Sequence, residues 1–428
     1  MWDVKRIREH PDDVRRALQA RGEDPAAVDE VLRLDRQRRA AITAVEGLKN
    51  QKNAASRRIG EMKRRGEDIA AEQISLRALG DRINALDAEI RALDAALQEK
   101  LLRLPNQPHV SVPVGPDKSF NEIVRQHGEP RVFDFQPKTH VEIGQRLGLF
   151  DFARATRLAA SGFPLFTGWG ARLQRALINF MLDVHVKEHG YTEVWPPVLC
   201  NPAAMTGTGQ LPKLAEDMYH LAADDLYLAP TAEVPVTNIY REEIIEQPLP
   251  IYLTAYTACF RREAGAAGRE TRGLIRVHQF DKVEMVKFVH PDTSYEELEK
   301  LVANAEDILQ RLGLVYRVVL LCTGDLSFAA SKCYDLELWA PGQNDWLEVS
   351  SCSNFEDFQA RRANIRFRDA EGRVRFVHTL NGSGVALPRL VVALLENGQQ
   401  ADGSVVLPEA LVTYMDGIRR LVPPGRNG

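Results

Sequence analysis

The sequence predicts an α+β protein in two parts, a long helical hairpin followed by a larger domain built on β-strands with helices around them. Three stretches carry that reading. Leu76, Leu79, Ile83, Leu86, Ile90, Leu93 and Leu97 step by three and four without a break, which is the a/d seam of a coiled coil. The run from Leu104 to Pro116 holds four prolines and reads as a boundary between parts. Phe260 to Phe288 is flanked by β-branched and aromatic residues around a connector with Gly265, Gly268 and Gly273, the pattern of a β-hairpin.

Bulk properties narrow the classes. A chain of 428 residues, 44% hydrophobic, can bury a sizeable core and divide into two domains. A net charge of −4 announces no global affinity for nucleic acid, so any RNA contact must come from a local patch. Cys200, Cys259, Cys322, Cys333 and Cys352 are scattered with no C-x-x-C pair, which argues against a disulfide framework or a structural zinc site and fits a reducing cytoplasm. The start MWDVKRIREHPDD lacks a signal-peptide apolar run, and no stretch approaches 18 uninterrupted apolar residues, so a soluble protein without a membrane partner is expected.

Residues 1 to 26 read as a short helical lead-in, with Pro11 pointing to a fresh helix start at Asp12 or Asp13. Opposite the leucine seam, Val28, Val31, Ile42, Val45, Ile59 and Met62 form a looser one. The break at Arg65-Gly66-Glu67-Asp68 is short enough to make the two helices antiparallel. Helices of roughly 36 residues are about 54 Å long, so the hairpin is expected to protrude. Its charge is uneven: residues 30 to 66 carry 11 Lys/Arg against 4 Asp/Glu, and residues 67 to 102 carry 4 against 8. Such faces serve a spacer or dimerising rod, or a surface that follows RNA phosphates.

Ala171 to Gly190 is an amphipathic helix, with Leu173, Ala176, Leu177, Phe180, Met181 and Val184 on one face. Within it His185-Val-Lys-Glu188-His189 fits the H-x-x-E-H zinc pattern, but the histidines sit in the last turn, where the helix dipole favours them without a metal. A strand from Tyr191 to Trp195 and Pro196-Pro197 follow. Gly207-Thr-Gly-Gln-Leu-Pro-Lys213 lacks the G-K-[S/T] ending of a phosphate loop, and no G-x-G-x-x-G is present. Thr231-Ala232-Glu233 alone could be a helix cap.

The hairpin connector runs from Ala264 to Gly273 and is loaded with Arg261, Arg262, Glu263, Arg269, Glu270, Arg272 and Arg276, which suits a polyphosphate better than a turn. By parity Arg276, His278, Phe280, Lys282 and Glu284 share one face of the return strand, expected to be wet, while Ile275, Val277, Val283 and Met285 mostly share the other. Parity alone equally allows a solvated hairpin laced with salt bridges. Glu348 and Ser351 lie at odd spacing, so a bulge or strand end is needed to bring them to one ligand. Gly382 and Gly384 allow close backbone approach, and Arg389 opens the helix LVVALLEN.

The helix, strand and proline of residues 171 to 197, Phe260-Arg-x-Glu263 with its Gly- and Arg-rich loop and Phe280, and Leu380-Asn-Gly-Ser-Gly-Val-Ala-Leu-Pro-Arg389 resemble the three motifs of class II aminoacyl-tRNA synthetases. GRETRGLIRVHQFDKVEMV resembles the seryl-tRNA synthetase family in particular, and the resemblance covers essentially the whole chain. It implies a class II-type antiparallel β-sheet catalytic domain at residues 105–428, a tRNA-binding arm at 1–104, a homodimer built through the first motif, and serylation of tRNA(Ser) through its long variable arm, with tRNA(Sec) left open.

The roles implied by the resemblance follow residue by residue. Arg261, Glu348 and Arg389 would be catalytic, Arg261 bridging the α-phosphate and the serine carboxylate and Arg389 gripping the γ-phosphate. ATP would also meet Arg262, Glu263, Val277, Phe280, Val349, Ser350 and Ser351, with adenine stacked on Phe280 opposite Arg389 and its amine read by Glu263. Glu348 and Ser351 would hold Mg2+ with ATP. Serine would lie among Thr231, Ala232, Glu233, Arg261, Glu284, Asn381 and Ser383. Lys49, Lys52, Arg57 and Arg58 would meet tRNA. The chain departs from the family pattern at Gly162-Phe163-Pro164, where Arg-Phe is usual, and near Gly398, where a Tyr is usual. A ligase loading a carrier protein usually lacks the arm, and an inactive RNA-binding paralogue would lose Arg261, Glu348 or Arg389; this chain has all of them.

Overall fold

A computed structural model describes residues 1–264 and 273–423. Contacts divide the chain into two units, Met1–Pro105 and Asn106–Gly428. Gly265, Gly268, Arg269, Glu270 and Arg272 of the hairpin connector lie outside the described residues.

The first unit is four helices. Helix α1 (Val4–Glu9) is capped by the Asp3 side chain, which accepts from the Lys5 amide at 2.7 Å. Helix α2 (Pro11–Ala20) begins on Pro11 itself, one residue earlier than the sequence suggests, because proline at the first helical position gives up only an amide that has no partner there. Helices α3 (Ala27–Arg64) and α4 (Ala70–Arg103) form the long hairpin. Cross-hairpin pairs run antiparallel: Glu30 with Lys100 at 2.9 Å, Arg38 with Asp94, Lys49 with Asp87 at 3.5 Å and Arg58 with Glu72 at 3.6 Å. Part of the uneven charge is therefore spent between the two helices. The lead-in helices, mute in sequence, thicken the base of the hairpin: Ile7, Val14 and Leu18 close a core with Val28, Val31, Leu97 and Leu101.

The second unit is organised by an eight-stranded sheet of β1 (Glu122–His127), β2 (Thr192–Glu193), β3 (Ile251–Phe260), β4 (Gln279–Val289), β5 (Tyr316–Leu320), β6 (Lys332–Ala340), β7 (Asp345–Asn354) and β8 (His378–Ala386). The order across the sheet is β1-β5-β6-β7-β8-β4-β3-β2, antiparallel throughout except for β2 on the edge of β3. One face of β4, with Val283, Met285 and Val289, packs on helices α5 (His140–Leu147), α6 (Trp169–Lys187), α7 (Ser294–Arg311) and α8 (Leu387–Gly398) in the main core. The other face buries Val286 and Phe288 under a smaller core and leaves Phe280, Lys282 and Glu284 for a pocket.

Two local devices shape that second face. Leu336 pairs with Ser350 while the next residue, Glu337, pairs with Glu348, so β7 bulges at Val349. The bulge turns Glu348 to the same side as Ser351, as their odd spacing requires. A second shift lies between Ser383 and Ala386 of β8, whose partners Glu284 and Lys282 are only two apart. Gly384 within it has close neighbours: a Cβ there would stand 2.3 Å from His185 Nε2. The close approach Gly384 allows is thus to α6, whereas a Cβ on Gly382 would stand 2.7 Å from Cys352 Sγ, and the zinc-like histidines are part of the packing. His185 Nε2 donates to the Gly384 carbonyl at 3.1 Å, its Nδ1 meets His189 at 2.9 Å, and His189 meets Asp307 at 2.9 Å. Burial drives the His185 ring down to about 4, and Glu188 is taken up by Arg311 at 2.6 Å. Among the described residues no group of three or more His, Cys, Asp or Glu could hold a metal, all five cysteines are buried and unpaired, and no helix is long and apolar enough to cross a membrane.

Leu301 on α7 is fully buried in the main core. Leu301→Ala should cost about 2–5 kcal/mol. In urea unfolding followed by circular dichroism, the transition of residues 106–428 should shift down. An unshifted midpoint would mean that this face of α7 is not packed as described.

Candidate active site

A cavity of about 400 Å³ opens on the sheet face carrying Phe280, Lys282 and Glu284. Its floor is set by register: Ser383 lies opposite Glu284, and Ser353 opposite Asn381. Strand β3 ends at Phe260, and the Arg261 amide extends the ladder by donating to the His278 carbonyl at 2.9 Å. Arg261 is therefore held by backbone at the pocket mouth. The Phe260 amide donates to Ala229 at 3.0 Å, which pins the Thr231 segment beside it.

One end of the cavity is acidic and deep. Glu284 is only 2% exposed and pairs with Lys282, itself 6% exposed, so this part of the face is buried and not wet as parity suggested. Thr231 Oγ1 donates to Glu284 at 3.2 Å and accepts from the Glu233 amide at 3.2 Å, so the hydroxyl serves both the local turn and the pocket. Burial, and then the facing Glu284, push Glu233 up to about 7, while Gln359, Lys282 and Asn381 pull the other way.

The other end is cationic. Arg261 Nε donates to the Pro230 carbonyl at 3.3 Å, and its guanidinium lies 5.2 Å from the Phe280 ring centre. Arg389 lines the same cavity as that ring. Its Nε donates to Ile275 O at 3.0 Å and its Nη1 to Glu348 O at 2.8 Å, with the Glu348 carboxylate at 3.4 Å. Glu263 is held by Arg276. Arg276 and His278 precede β4, which begins at Gln279, so they do not continue the strand face on which parity had put them. Burial, with Glu348 nearby, pushes the Asp335 carboxyl on the neighbouring strand well above its ordinary range.

Thr231, Glu233, Arg261, Glu263, Val277 and Phe280 all line the cavity. So do Glu284, Glu348, Val349, Ser351, Asn381, Ser383 and Arg389. Three residues expected at the site do not. Arg262 is exposed, and its amide donates to Asp217 O at 2.9 Å. Ala232 is buried in the smaller core. Ser350 points into β8, donating to Ser383 O at 2.6 Å, because the bulge beside it reverses its facing. Missed from sequence were Thr208, Gly209 and Gln210, which stand in the stretch rejected as a phosphate loop, and Phe328. His140, also missed, does not line the cavity but braces its wall: its Nε2 accepts from the Leu274 amide at 3.1 Å while Glu396 holds its other side at 3.1 Å.

Residues 1–108 match the seryl-tRNA synthetase N-terminal domain, and residues 219–398 match the tRNA synthetase class II core domain (G, H, P, S and T). The serine–tRNA ligase of Thermomicrobium roseum is 58% identical over 98% of this chain and 95% of its own length. That of Geobacillus kaustophilus is 57% identical over 97% and 98%. The chain belongs to the seryl-tRNA synthetase family. The fold also matches seryl-tRNA synthetase from Pyrococcus horikoshii complexed with ATP, with a TM-score of 0.93 at 39% identity over 99% of this chain and 100% of that one.

In this synthetase the departure at Gly162 touches the site more closely than its distance in sequence implied. Gly162 has φ +81°, a Cβ there would lie 2.4 Å from His278, and its carbonyl accepts the His278 amide at 2.8 Å. Since His278 Nδ1 in turn meets the Arg261 carbonyl at 3.0 Å, Gly162 braces the backbone that carries Arg261. Gly398 closes α8, where a Cβ would strike the Val406 carbonyl at 2.5 Å.

Glu233 gives a pH prediction. Its ionised form is the one that can hold a substrate cation, so kcat/KM for serine should fall as pH drops through about 7, reporting the free enzyme. Glu233→Gln should lose that limb along with most activity. A wild-type profile flat from pH 8 to 6 would exclude Glu233 as the group.

Proposed function

We propose that this pocket activates L-serine with ATP to give seryl-adenylate and pyrophosphate, then passes the seryl group to a terminal ribose hydroxyl of tRNA(Ser), releasing AMP. The observation that carries this is one cavity joining a buried carboxylate end to an arginine end, with room between for an acyl phosphate.

The amino acid enters the acidic end. Glu284 already has Lys282, whereas Glu233 has no cation within 4 Å among the described residues, so the substrate ammonium is the charge that Glu233 lacks. Thr231, Asn381 and Ser383 offer polar partners around the side chain, and buried partners left unpaired by alanine would reject it. The serine carboxylate attacks the α-phosphorus as the bond to pyrophosphate breaks. Two anions must meet, so the protein's contribution is positioning and fixed charge. Arg261 bridges the carboxylate and the α-phosphate, and Arg389 takes the γ-phosphate.

Adenine and the Arg261 guanidinium share the Phe280 face, so Arg261 leaves the ring for phosphate as the base stacks, and Glu263 accepts from the base's amine. The Glu348 carboxylate and Ser351 hydroxyl, brought to one side by the bulge, are the hard oxygen donors that suit Mg2+. Bound there with ATP, the ion would offset phosphate charge.

On the arm, Lys52 and Arg57 have no carboxylate within 4 Å among the described residues, whereas Lys49 and Arg58 would exchange their cross-hairpin partners for RNA phosphate. Exposed Trp195, Val198 and Leu199 after β2 support a homodimer through that edge. The five unpaired thiols fit a cytoplasmic setting. The intact arm and the presence of Arg261, Glu348 and Arg389 favour this reading over a carrier-protein ligase or an inactive paralogue.

Serine-dependent, magnesium-dependent exchange between ATP and pyrophosphate tests the chemistry across all twenty amino acids. Arg261→Ala should lower exchange at least a thousandfold with an unchanged melting temperature; exchange at the wild-type rate would remove the mechanism. Replacing residues 28–103 by a short linker should leave exchange nearly intact and reduce tRNA charging by orders of magnitude. If the armless protein charges tRNA as well as the parent, the arm is a rod and not a reader.

A further inference from the structure

Outside the cavity wall, one buried amide is committed to the site. Gln359 lies on the short helix Phe358–Ala363, is 1% exposed and does not line the cavity. Its Nε2 donates to Glu233 Oε1 at 2.6 Å and to the Thr208 carbonyl at 3.2 Å. Its Oε1 accepts from Thr379 Oγ1 at 2.8 Å, and Thr379, on β8, is fully buried. The amide therefore has one workable orientation. A flip would set its oxygen against a carboxylate and a carbonyl, two acceptors, and leave both N–H groups facing a single hydroxyl.

We infer that Gln359 is the positioning residue for amino-acid selection, holding the Glu233 carboxylate and the Thr208 wall in the arrangement that receives the serine ammonium. This rests on the reading of the pocket as a serine site and goes beyond it by naming the group that aims the carboxylate. Three observations join here. Glu233 and Thr208 come from separate segments, and Gln359 ties them together with its two amide hydrogens. A neutral donor orients Glu233 without neutralising it, so the charge stays available to the substrate, which a lysine in the same place would not allow. Thr379 ties the amide to the strand bearing Asn381 and Ser383, so one side chain references both walls of the pocket to the sheet.

The groups facing Glu233 are Glu284 and Lys282 from β4, Asn381 from β8 and Gln359 itself. Removing the Gln359 donor takes away a group that favours the ionised form, so the acid limb of kcat/KM for serine must move to higher pH. An added carboxylate at position 359 must move it further.

The test is pyrophosphate exchange with the full-length protein, comparing wild type with Gln359→Met, Gln359→Glu and Thr379→Val. Gln359→Met keeps the volume and should raise KM for serine at least tenfold, while KM for ATP and kcat stay within about threefold. Its acid limb should move up, and that of Gln359→Glu further. Thr379→Val, which leaves the amide but frees its orientation, should show a smaller shift in the same direction. A serine KM for Gln359→Met equal to that of wild type overturns the inference, as does an equal loss for serine and ATP with a lowered melting temperature in both apolar variants. Absence of serine-dependent exchange in the wild type would instead overturn the reading of the pocket.

Discussion

The structure depends on the register of one antiparallel sheet. Phe280, Lys282 and Glu284 reach the pocket because β4 alternates cleanly, Ser383 and Asn381 because β8 is paired to β4 without slip at those positions, and Ser353 because β7 is paired in turn to β8. A one-residue shift would turn Glu284 into the core and Met285 into the pocket. Burial on the far face prevents that, since Val283, Met285 and Val289 fill the main core against α6, α7 and α8.

On this frame two irregularities carry the chemistry. The bulge at Val349 brings Glu348 and Ser351 to one side while turning Ser350 inward, and the shift after Ser383 lets β8 pass His185 on its way to Arg389. Each trades a little sheet regularity for the placing of a polar group, and each is held by packing behind it. Buried ionic groups around the sheet follow the same economy: Glu284 is paired, His185 is kept neutral, and Glu233 has no cation within 4 Å among the described residues.

The two units use charge differently. In the helical hairpin, basic and acidic residues face each other across α3 and α4 at a half-exposed surface, where each pair adds little stability and can be exchanged for another partner. In the sheet unit, arginines at the pocket mouth are fixed through backbone carbonyls, Arg261 by Pro230 and Arg389 by Ile275 and Glu348. They are directed before any phosphate arrives.

By itself the sequence determined the helical hairpin, its break, the seam and the strand–connector–strand around Arg261, because those depend on local periodicity and on glycine and proline. It also marked Glu348 and Ser351 as needing a bulge or a strand end to meet one ligand. Residue resemblance marked thirteen residues that do line the cavity, since such a match carries position without geometry. Tertiary structure alone decided that Lys282 pairs with Glu284 in the interior, that Arg276 and His278 leave the strand, and that Ala232, Arg262 and Ser350 turn away. It alone brought Thr208 to the cavity wall and set His140 and Gln359 behind that wall, with no periodic signal in any of their stretches. The physical reason is that a hydrogen bond between segments more than a hundred residues apart leaves no trace in either one. Only the chain folded around its sheet brings Gln359 to Thr208.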